Sequence, residues 1–521
     1  MPISKDSSTL TGIALSVARG LIEQGYACPP IVVLHGDTGV EQPEIAGLAH
    51  SELAKMRAYC EKHRIPLLTK IGQPTLTASF PVRVIGGRAL PSFPDSRADC
   101  STDWKVLPNQ RAQKEVFDAL QNEELWSSPV VMTGVRNDES TARDQRIAKR
   151  GEVAEGIWEN ELGALRLSPI LDFTADDVWE YIGLANAGMI EAYSDFAETM
   201  RIYRDAGGSS CVVVADMKAA ANSKPCGTRT GCWSCTRVGE DRSMKQMIES
   251  DPGRYGHLQR LADLRDFISK TQYDWSRRAF VGRTIDEEGY IAVGADTYSP
   301  DMLQDLLRYT LSAQVESGVE IINEQQLIAI DARWSQYGIA PPFSALKIYF
   351  EVMDGDLRHP PVIQRYPKTP VPKVGKIYVG HPSFNTAMRT NVSGLRNVGL
   401  ELFHESCGYE LKVLKDGTLV PDMEEDDELT VDAEGAQDFI SFIAEEMIQQ
   451  YCHVDCSDWT LGFRMYLQYG TLSIAKGRSS QANEILMRSQ WRQAHGLHGQ
   501  QDVKQLEERC NVLFQAQLQL I

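Results

Sequence analysis

Apolar positions recur at helical spacing over residues 8–24, where Leu10, Ile13, Ala14, Val17 and Leu21 share one face. The short continuous run Ile31-Val32-Val33-Leu34 then suits a strand buried on both sides. Helical periodicity returns over 44–62, a strand begins at Pro66-Leu67-Leu68, and a helix is expected over 113–121. Pro129-Val130-Val131-Met132-Thr133-Gly134 reads as another buried strand. Strands alternating with helices predict an α/β fold with an open, mostly parallel sheet, whose ligands sit beyond the carboxyl ends of the strands. Thr174, three residues before Asp177, predicts an N-cap close to a capping box.

The alternation runs to about residue 205, so residues 1–205 form the expected α/β domain. Residues 206–240 are rich in Gly, Ser and Cys, and helical texture is expected over 241–275 within a region reaching 340. Residues 341–521 read as a C-terminal α+β region of unknown role. Pro341-Pro342, Pro360-Pro361, Pro367, Pro370 and Pro372 mark loops and edges there. A strand is expected at Lys376-Ile377-Tyr378-Val379 and helices over 434–452 and 484–496. The acidic run Glu424-Glu425-Asp426-Asp427-Glu428 is expected to be a solvated loop.

Composition narrows the class. A chain of 521 residues with 42% hydrophobic and 24% charged content can bury a core and is neither a rod nor a disordered tail. It contains no run of about 18 apolar residues, so no membrane span is expected. The opening Met1-Pro2-Ile3-Ser4-Lys5-Asp6 lacks the features of a signal peptide, and a cytoplasmic location is expected. The net charge of -18 argues against tight binding of bare nucleic acid by this chain alone, but not against nucleic acid presented by a partner. Of 11 cysteines, Cys211, Cys226, Cys232 and Cys235 crowd together, which in a reducing compartment points to metal or redox chemistry.

Four further groups carry candidate chemistry. Ser4-Lys5-Asp6-Ser7-Ser8 precedes a helix expected from residue 9 and offers backbone N–H groups, hydroxyls and a cation to an anion; a plain N-cap is the competing reading. Asp37-Thr38-Gly39 follows a strand, where an Asp binds ribose or Mg²⁺ or caps a tight turn. Gly134-Val135-Arg136 also follows a strand and pairs a close backbone approach with a bidentate cation. Arg143, Arg146, Lys149 and Arg150 follow on the same stretch, the last two as a solvated face. Cys100, between Arg97 and Lys105, is either a thiol of lowered pKa or a structural cysteine. Thiolate-only ligation by the C-x₂-C pair and its neighbours suits an Fe–S cluster or zinc.

Taken in order, these motifs resemble the PAPS-reductase-like branch of the PP-loop ATP pyrophosphatases. The carriers are Ser4-Lys5-Asp6-Ser7, Asp37-Thr38-Gly39 with Pro43-Glu44, Gly134-Val135-Arg136, Pro169-Ile170 and Phe173-Thr174 with Asp177-Val178-Trp179. Cys100, Lys105 and Pro108 resemble that branch's Cys/Lys motif. Ala206-Gly207-Gly208-Ser209-Ser210-Cys211, Cys226-Gly227 and Gly231-Cys232-Trp233-Ser234-Cys235 are similar to the DndC/SspD-like proteins of bacterial DNA phosphorothioation. Tyr298-Ser299-Pro300 and Leu306-Leu307-Arg308-Tyr309 extend the resemblance to about residue 315.

The resemblance implies an ATP pyrophosphatase with ATP, Mg²⁺ and a [4Fe–4S] cluster. It also implies a cysteine desulfurase and other phosphorothioation proteins as partners, in bacterial defence, and DNA presented within a complex. No membrane partner is implied, and a homo-oligomer is left open. Lys5, Asp6, Cys100 and Arg136 are then the catalytic candidates. Ser4, Lys5, Asp6, Ser7, Ser8, Asp37, Thr38, Gly39, Gly134 and Arg136 are the nucleotide contacts. Cys226, Cys232 and Cys235, with Cys211 or Cys100, are the cluster ligands. The family loop, Ser-Gly-Gly-Lys-Asp-Ser after a strand, is replaced here by Pro2-Ile3-Ser4-Lys5-Asp6-Ser7, and its preceding strand is expected to be missing. The rival readings are a sulfonucleotide reductase and a metal-stabilised scaffold without activity.

Simpler readings stand beside these. Cys452 and Cys456, one helical turn apart, are expected to be core thiols. Cys28, Cys60, Cys407, Cys510 and His35 are expected to be structural, and Trp233 to shield a metal from water.

Overall fold

The computed structural model describes residues 4–94, 96, 99–122, 129–139, 141–159, 163–207, 231–285, 290–372, 377–378, 392–396, 410–413, 419–422, 427–494, 498 and 508. Cys211, Cys226, Cys407, Cys510 and Glu424-Glu425-Asp426 lie outside the described residues, as does most of the Cys-rich segment. The chain divides into two compact units, residues 1–74 with 98–262 and residues 75–97 with 263–521.

The first unit is α/β. Helix α1, Lys5–Glu23, begins four residues earlier than the expected start at residue 9. Ser4 is its N-cap: its side chain accepts from the Ser7 N–H, its carbonyl accepts from Ser8 at 2.8 Å, and Asp6 sits favourably at the positive end of the helix. Strand β1, Ile31–Gly36, and strand β2, Leu67–Gly72, flank helix α2, Pro43–His63. The strands pair in parallel, Ile31 opposite Leu67 and Gly36 opposite Gly72. Helix α3, Leu107–Asn122, is longer than the predicted 113–121. Strand β3, Val130–Met132, precedes helix α4, Thr141–Arg150. Strands β4, Trp158–Glu159, and β5, Leu165–Leu167, follow, with β5 parallel to β3 and antiparallel to β4. The expected parallel pairing is therefore present, but as two separate small sheets.

Helix α5, Ala175–Asn186, has the predicted capping box, with Thr174 and Asp177 each serving the other's backbone N–H. Apolar faces of α1, α2 and α5 meet around Leu15, Leu53, Met56, Val178 and Ile182, together with Phe196. Cys60 is buried here and His35 is buried at the end of β1, as structural readings require. Helix α6, Ala197–Gly207, follows. The continuous helix expected over 241–275 is instead α7, Arg242–Ser250, a short turn at Pro252–Tyr255, and α8, Gln259–Lys270. The break falls at Asp251-Pro252: the residue before Pro is extended (φ -146°), and its side chain caps the next turn.

The second unit is α+β. Strands β6, Arg278–Ile285, and β7, Tyr290–Tyr298, form an antiparallel hairpin extended by β8, Ile377–Tyr378. Helices α9, Pro300–Ser317, α10, Glu324–Gln336, and α11, Ser344–Met353, form the core with Trp334 and Phe343 fully buried. Strands β9, Glu410–Val413, and β10, Leu419–Asp422, make one antiparallel pair. Strands β11, Leu429–Val431, and β12, Leu472–Ile474, make another. The helix expected over 434–452 is α12, Ala433–Asp438, a π-turn, and α13, Ala444–Tyr451. Helix α14, Leu461–Gln468, precedes α15, Ser479–Ala494, which starts earlier than the predicted 484.

Two expectations change here. Cys452 and Cys456 do not share a helical turn: Cys452 ends α13, and the buried Cys456 lies in the following loop with its thiol on the Asp458 carbonyl. The described end of the acidic run is not a solvated loop. Asp427 accepts from the Thr77 N–H at 2.8 Å and its hydroxyl at 2.6 Å, and Glu428 takes the buried Arg333 guanidinium at 2.8 and 3.2 Å. The buried guanidinium and the half-buried Thr77 take their acceptors here, so these carboxylates are anchors.

Candidate active site

Two groups of predicted residues are assembled in the first unit. The first gathers at the start of α1. Lys5 is buried, its backbone N–H on the Tyr203 hydroxyl of α6 and its ammonium 5.9 Å from the Trp179 ring. Asp6 Oδ1 accepts from Lys5 Nζ at 3.2 Å and from Arg136 Nε at 2.7 Å. One carboxylate thus holds two cations at a helix N-terminus, with Asp138 as a second acid 3.5 Å from Arg136, and the first N–H groups of α1 beside them suit an oxyanion.

The order of the chain explains how Arg136 arrives there. Thr133 donates to Leu167 O and Asn137 to Leu171 O, which ties the loop after β3 to the loop after β5. Asn137 Nδ2 reaches Asp172, and Asp138 accepts the Ala175 N–H at the start of α5. At Gly134 the loop packs on the start of α1: a Cβ there would stand in ordinary contact with the Asp6 carbonyl at 3.4 Å and Ser7 Cα at 3.6 Å.

The second group surrounds the ends of β1 and β2. Asp37 caps its own turn, accepting from Gly39 N–H, and its other oxygen accepts from Gln73 at 2.9 Å. Thr38 is buried beneath it. Gly36 and Gly72 end the two strands, and a Cβ on Gly72 would stand 2.8 Å from the Pro108 carbonyl. This lack of a side chain lets the start of α3, with Lys105, Pro108 and Asn109, lie against the strand ends. Cys100 is half-buried a turn earlier.

The C-x₂-C turn closes the same region. Cys232 makes an antiparallel bridge with Glu41, Trp233 N–H donates to Val40 O at 3.0 Å, and Cys235 N–H turns back to Cys232 O. Trp233 is buried. Burial pushes the Cys232 thiol up to about 11; Lys105 opposes this, and Cys235, Glu41 and Cys100 add to it. Burial, then repulsion from Asp37, pushes Glu41 up to about 7, against the pull of Lys105. The structure therefore brings Lys105, Cys235, Glu41 and Cys100 within electrostatic reach of Cys232, and Asp37 and Lys105 within reach of Glu41.

Glu41, Gln73, Asn109 and Tyr203 were not legible as site residues. Each is an ordinary residue type whose partner lies far away in sequence, and only the short spacing of Glu41 from Asp37 was available as a signal. Among the described residues, no three His, Cys, Asp or Glu side chains are placed to hold a metal ion. The described cysteines alone therefore do not complete a cluster site. Among the described residues, no helix is long and apolar enough to cross a membrane.

No curated protein and no solved structure matches the chain. The segment that builds both groups does have a relative at the level of the family: residues 2–238 match the phosphoadenosine phosphosulfate reductase domain, which supports its placement in the PAPS-reductase-like branch of the PP-loop superfamily, a family of nucleotide-using, sulfur-related enzymes.

Proposed function

We propose that the protein is an ATP-dependent sulfur-transfer enzyme of DNA phosphorothioation, forming AMP and pyrophosphate as it activates a DNA backbone phosphate. The observation that supports this most is the docking of the Cys232–Cys235 turn onto the Asp37–Glu41 loop, beside Cys100 and Lys105. Nucleotide-type and thiol-type residues thus share one end of a parallel strand pair.

A non-bridging phosphate oxygen is a very poor leaving group. Adenylating it with loss of pyrophosphate makes it leave as AMP when sulfur attacks phosphorus. Lys5, Arg136 and the first N–H groups of α1 stabilise the charge that develops on phosphoryl oxygens. Asp6 holds the two cations in place through a shared oxygen. Asp37, held by Gln73 and Gly39, would meet a ribose hydroxyl or Mg²⁺. Glu41, neutral for part of the time near pH 7, exchanges a proton with the thiol side of the site. A [4Fe–4S] cluster, with ligands drawn from Cys226, Cys232, Cys235 and either Cys211 or Cys100, would supply sulfide or electron chemistry when bound. Bacterial defence, a cysteine desulfurase and the other phosphorothioation proteins belong to the same proposal.

The test is anaerobic purification, iron, sulfide and zinc analysis, then pyrophosphate release from ATP with and without DNA. DNA-stimulated release with about four irons per chain supports the proposal. Thiol-dependent turnover of PAPS to sulfite would replace it with a sulfonucleotide reductase. One zinc without pyrophosphate release would replace it with a scaffold.

A further inference from the structure

Glu52 is 0% exposed, on a face of α2 that otherwise buries Leu48, Ala49, Leu53 and Met56. A carboxylate is an unfavourable filling for such a place, because it must be taken out of water, and an apolar side chain of similar volume would serve the core at least as well. What an apolar side chain could not do is accept hydrogen bonds. Glu52 Oε1 accepts two, from Lys55 Nζ at 2.9 Å and from Ser194 Oγ at 2.9 Å. Lys55 balances the charge and also reaches Ser194 Oγ at 3.2 Å. Two charged groups of α2 thus hold one hydroxyl.

Ser194 passes this grip to the backbone, where its oxygen accepts the Phe196 N–H at 3.0 Å. Phe196 has a φ of 54°, in the left-handed region that a bulky side chain rarely enters. Its buried ring packs against Tyr193 and Tyr181, with centroids 5.2 and 6.2 Å away. Such a residue persists only where its surroundings over-determine it, and the hydroxyl held by Glu52 is one of those surroundings. The conformation has a use. The Phe196 carbonyl accepts from the Met200 N–H at 3.0 Å, so the strained residue is where α6 starts, and Asp195 caps the Ala197 N–H at 3.2 Å. Further along α6, Tyr203 stands edge-on to Trp179 with centroids 5.5 Å apart, and its hydroxyl accepts the Lys5 N–H at 3.3 Å. That N–H is among the first of α1, which have no partner inside the helix.

We propose that Glu52 is a positioning residue for the corner formed by Lys5, Asp6 and Arg136. Through Ser194 and Phe196 it sets where α6 begins, and through Tyr203 it sets where the first turn of α1 stands. The proposal deepens the function proposed above and rests on it for the phosphoryl group that this corner meets. Every link is a hydrogen bond or a length of helix, so a shift at Ser194 is carried to Lys5 by stiff parts. Glu52 takes no part in the chemistry itself and acts through these links.

The test titrates the full chain with inorganic pyrophosphate by calorimetry and follows thermal melting of the same samples. Glu52→Ala and Tyr203→Phe should each weaken pyrophosphate binding about tenfold. The double variant should bind no more weakly than Glu52→Ala alone, because the second substitution removes a link that the first has already released. Glu52→Gln keeps an acceptor for the Ser194 hydroxyl and should bind within about twofold of the parent. A core ion pair without a positioning role would lower the melting temperature of Glu52→Ala and either leave its affinity unchanged or let the two losses multiply; each of these results overturns the proposal. If Glu52→Ala does not fold, Ser194→Ala takes its place in the cycle with Tyr203→Phe, with the same expectations. A parent chain that binds no pyrophosphate has no anion corner to position, and that result overturns the proposal too. Coupled losses without DNA-stimulated pyrophosphate release from ATP would sink the proposed reaction and leave the positioning role standing. DNA-stimulated release with uncoupled losses would do the reverse.

Discussion

Replacing Asp6 separates the structural from the functional role of the positive corner. Arg136 is only 3% exposed, and its Nε is 2.7 Å from Asp6 Oδ1. Removing one partner of a buried, hydrogen-bonded ion pair costs roughly 3–5 kcal/mol. Arg136 keeps Phe173 O at 3.3 Å and Asp138 at 3.5 Å, and Asp6 itself is 16% exposed, so only part of that cost applies. Asp6→Ala should therefore destabilise the start of α1 by about 2–3 kcal/mol, which lowers amide protection about 30- to 150-fold. Asp6→Asn keeps an acceptor oxygen and should lose about 1 kcal/mol. It also unmasks two cations, so inorganic pyrophosphate should bind about tenfold more tightly at low salt. Hydrogen exchange of residues 5–23 in the full chain reads the first effect, and calorimetric titration reads the second. The reasoning fails if the Ala and Asn variants exchange alike, or if Asp6→Asn weakens pyrophosphate binding.

Gly72→Ala places a methyl group 2.8 Å from the Pro108 backbone, which cannot rotate away. It should cost about 1–3 kcal/mol and displace Lys105, so thermal melting should shift down and Cys100 alkylation should change rate. Burial pushes Asp331 up to about 6, outweighing the hydrogen bonds from Ala345, Tyr466 and Phe343. Because this acid is raised in the folded chain, the fold keeps a proton that the unfolded chain releases. Its contribution is lost as pH rises from about 4 through about 6, at most about 3 kcal/mol. Asp331→Asn should remove that fall from a urea stability profile of the second unit; an unchanged profile refutes the assignment. Arg333→Met leaves Glu428 without its buried partner and should cost about 2–4 kcal/mol, whereas Arg333→Met combined with Glu428→Leu should recover much of it. Additive losses would show the pair to be uncoupled.

Features that depend on neighbours in the chain were the ones a sequence could display. The capping box at Thr174 and Asp177 spans three residues, and the apolar periods of α1, α2 and β1 are local. The helix start was misplaced because Ser4 serves equally well as a loop residue or as an N-cap, and only its bond to Ser7 decides. Gathering Lys5 and Asp6 with Arg136 needs a contact 130 residues apart. Periodicity contains nothing about that contact; only resemblance to a family suggested it. The Glu41–Cys232 bridge had no such help. The split of the expected sheet was hidden as well, because a run such as Val130-Val131-Met132 states that a strand is buried, not which strand lies beside it.

Charge shows the same limit from the opposite side. A net charge is a sum over positions, and a sum discards arrangement. In the acidic run, Asp427 looked destined for solvent, yet it is held by Thr77, 350 positions away, through a hydroxyl and an N–H. Over residues 357–400 the sequence did contain an arrangement that the sum conceals, because an interval without Asp or Glu is visible without any structure. The structure added that the chain at residues 365–369 is exposed and yet fixed, by Ser269, Lys270 and Trp275. Fields between exposed groups fade within about 10 Å, so what a charged residue does is set by its neighbours in space and not by the sum over the chain.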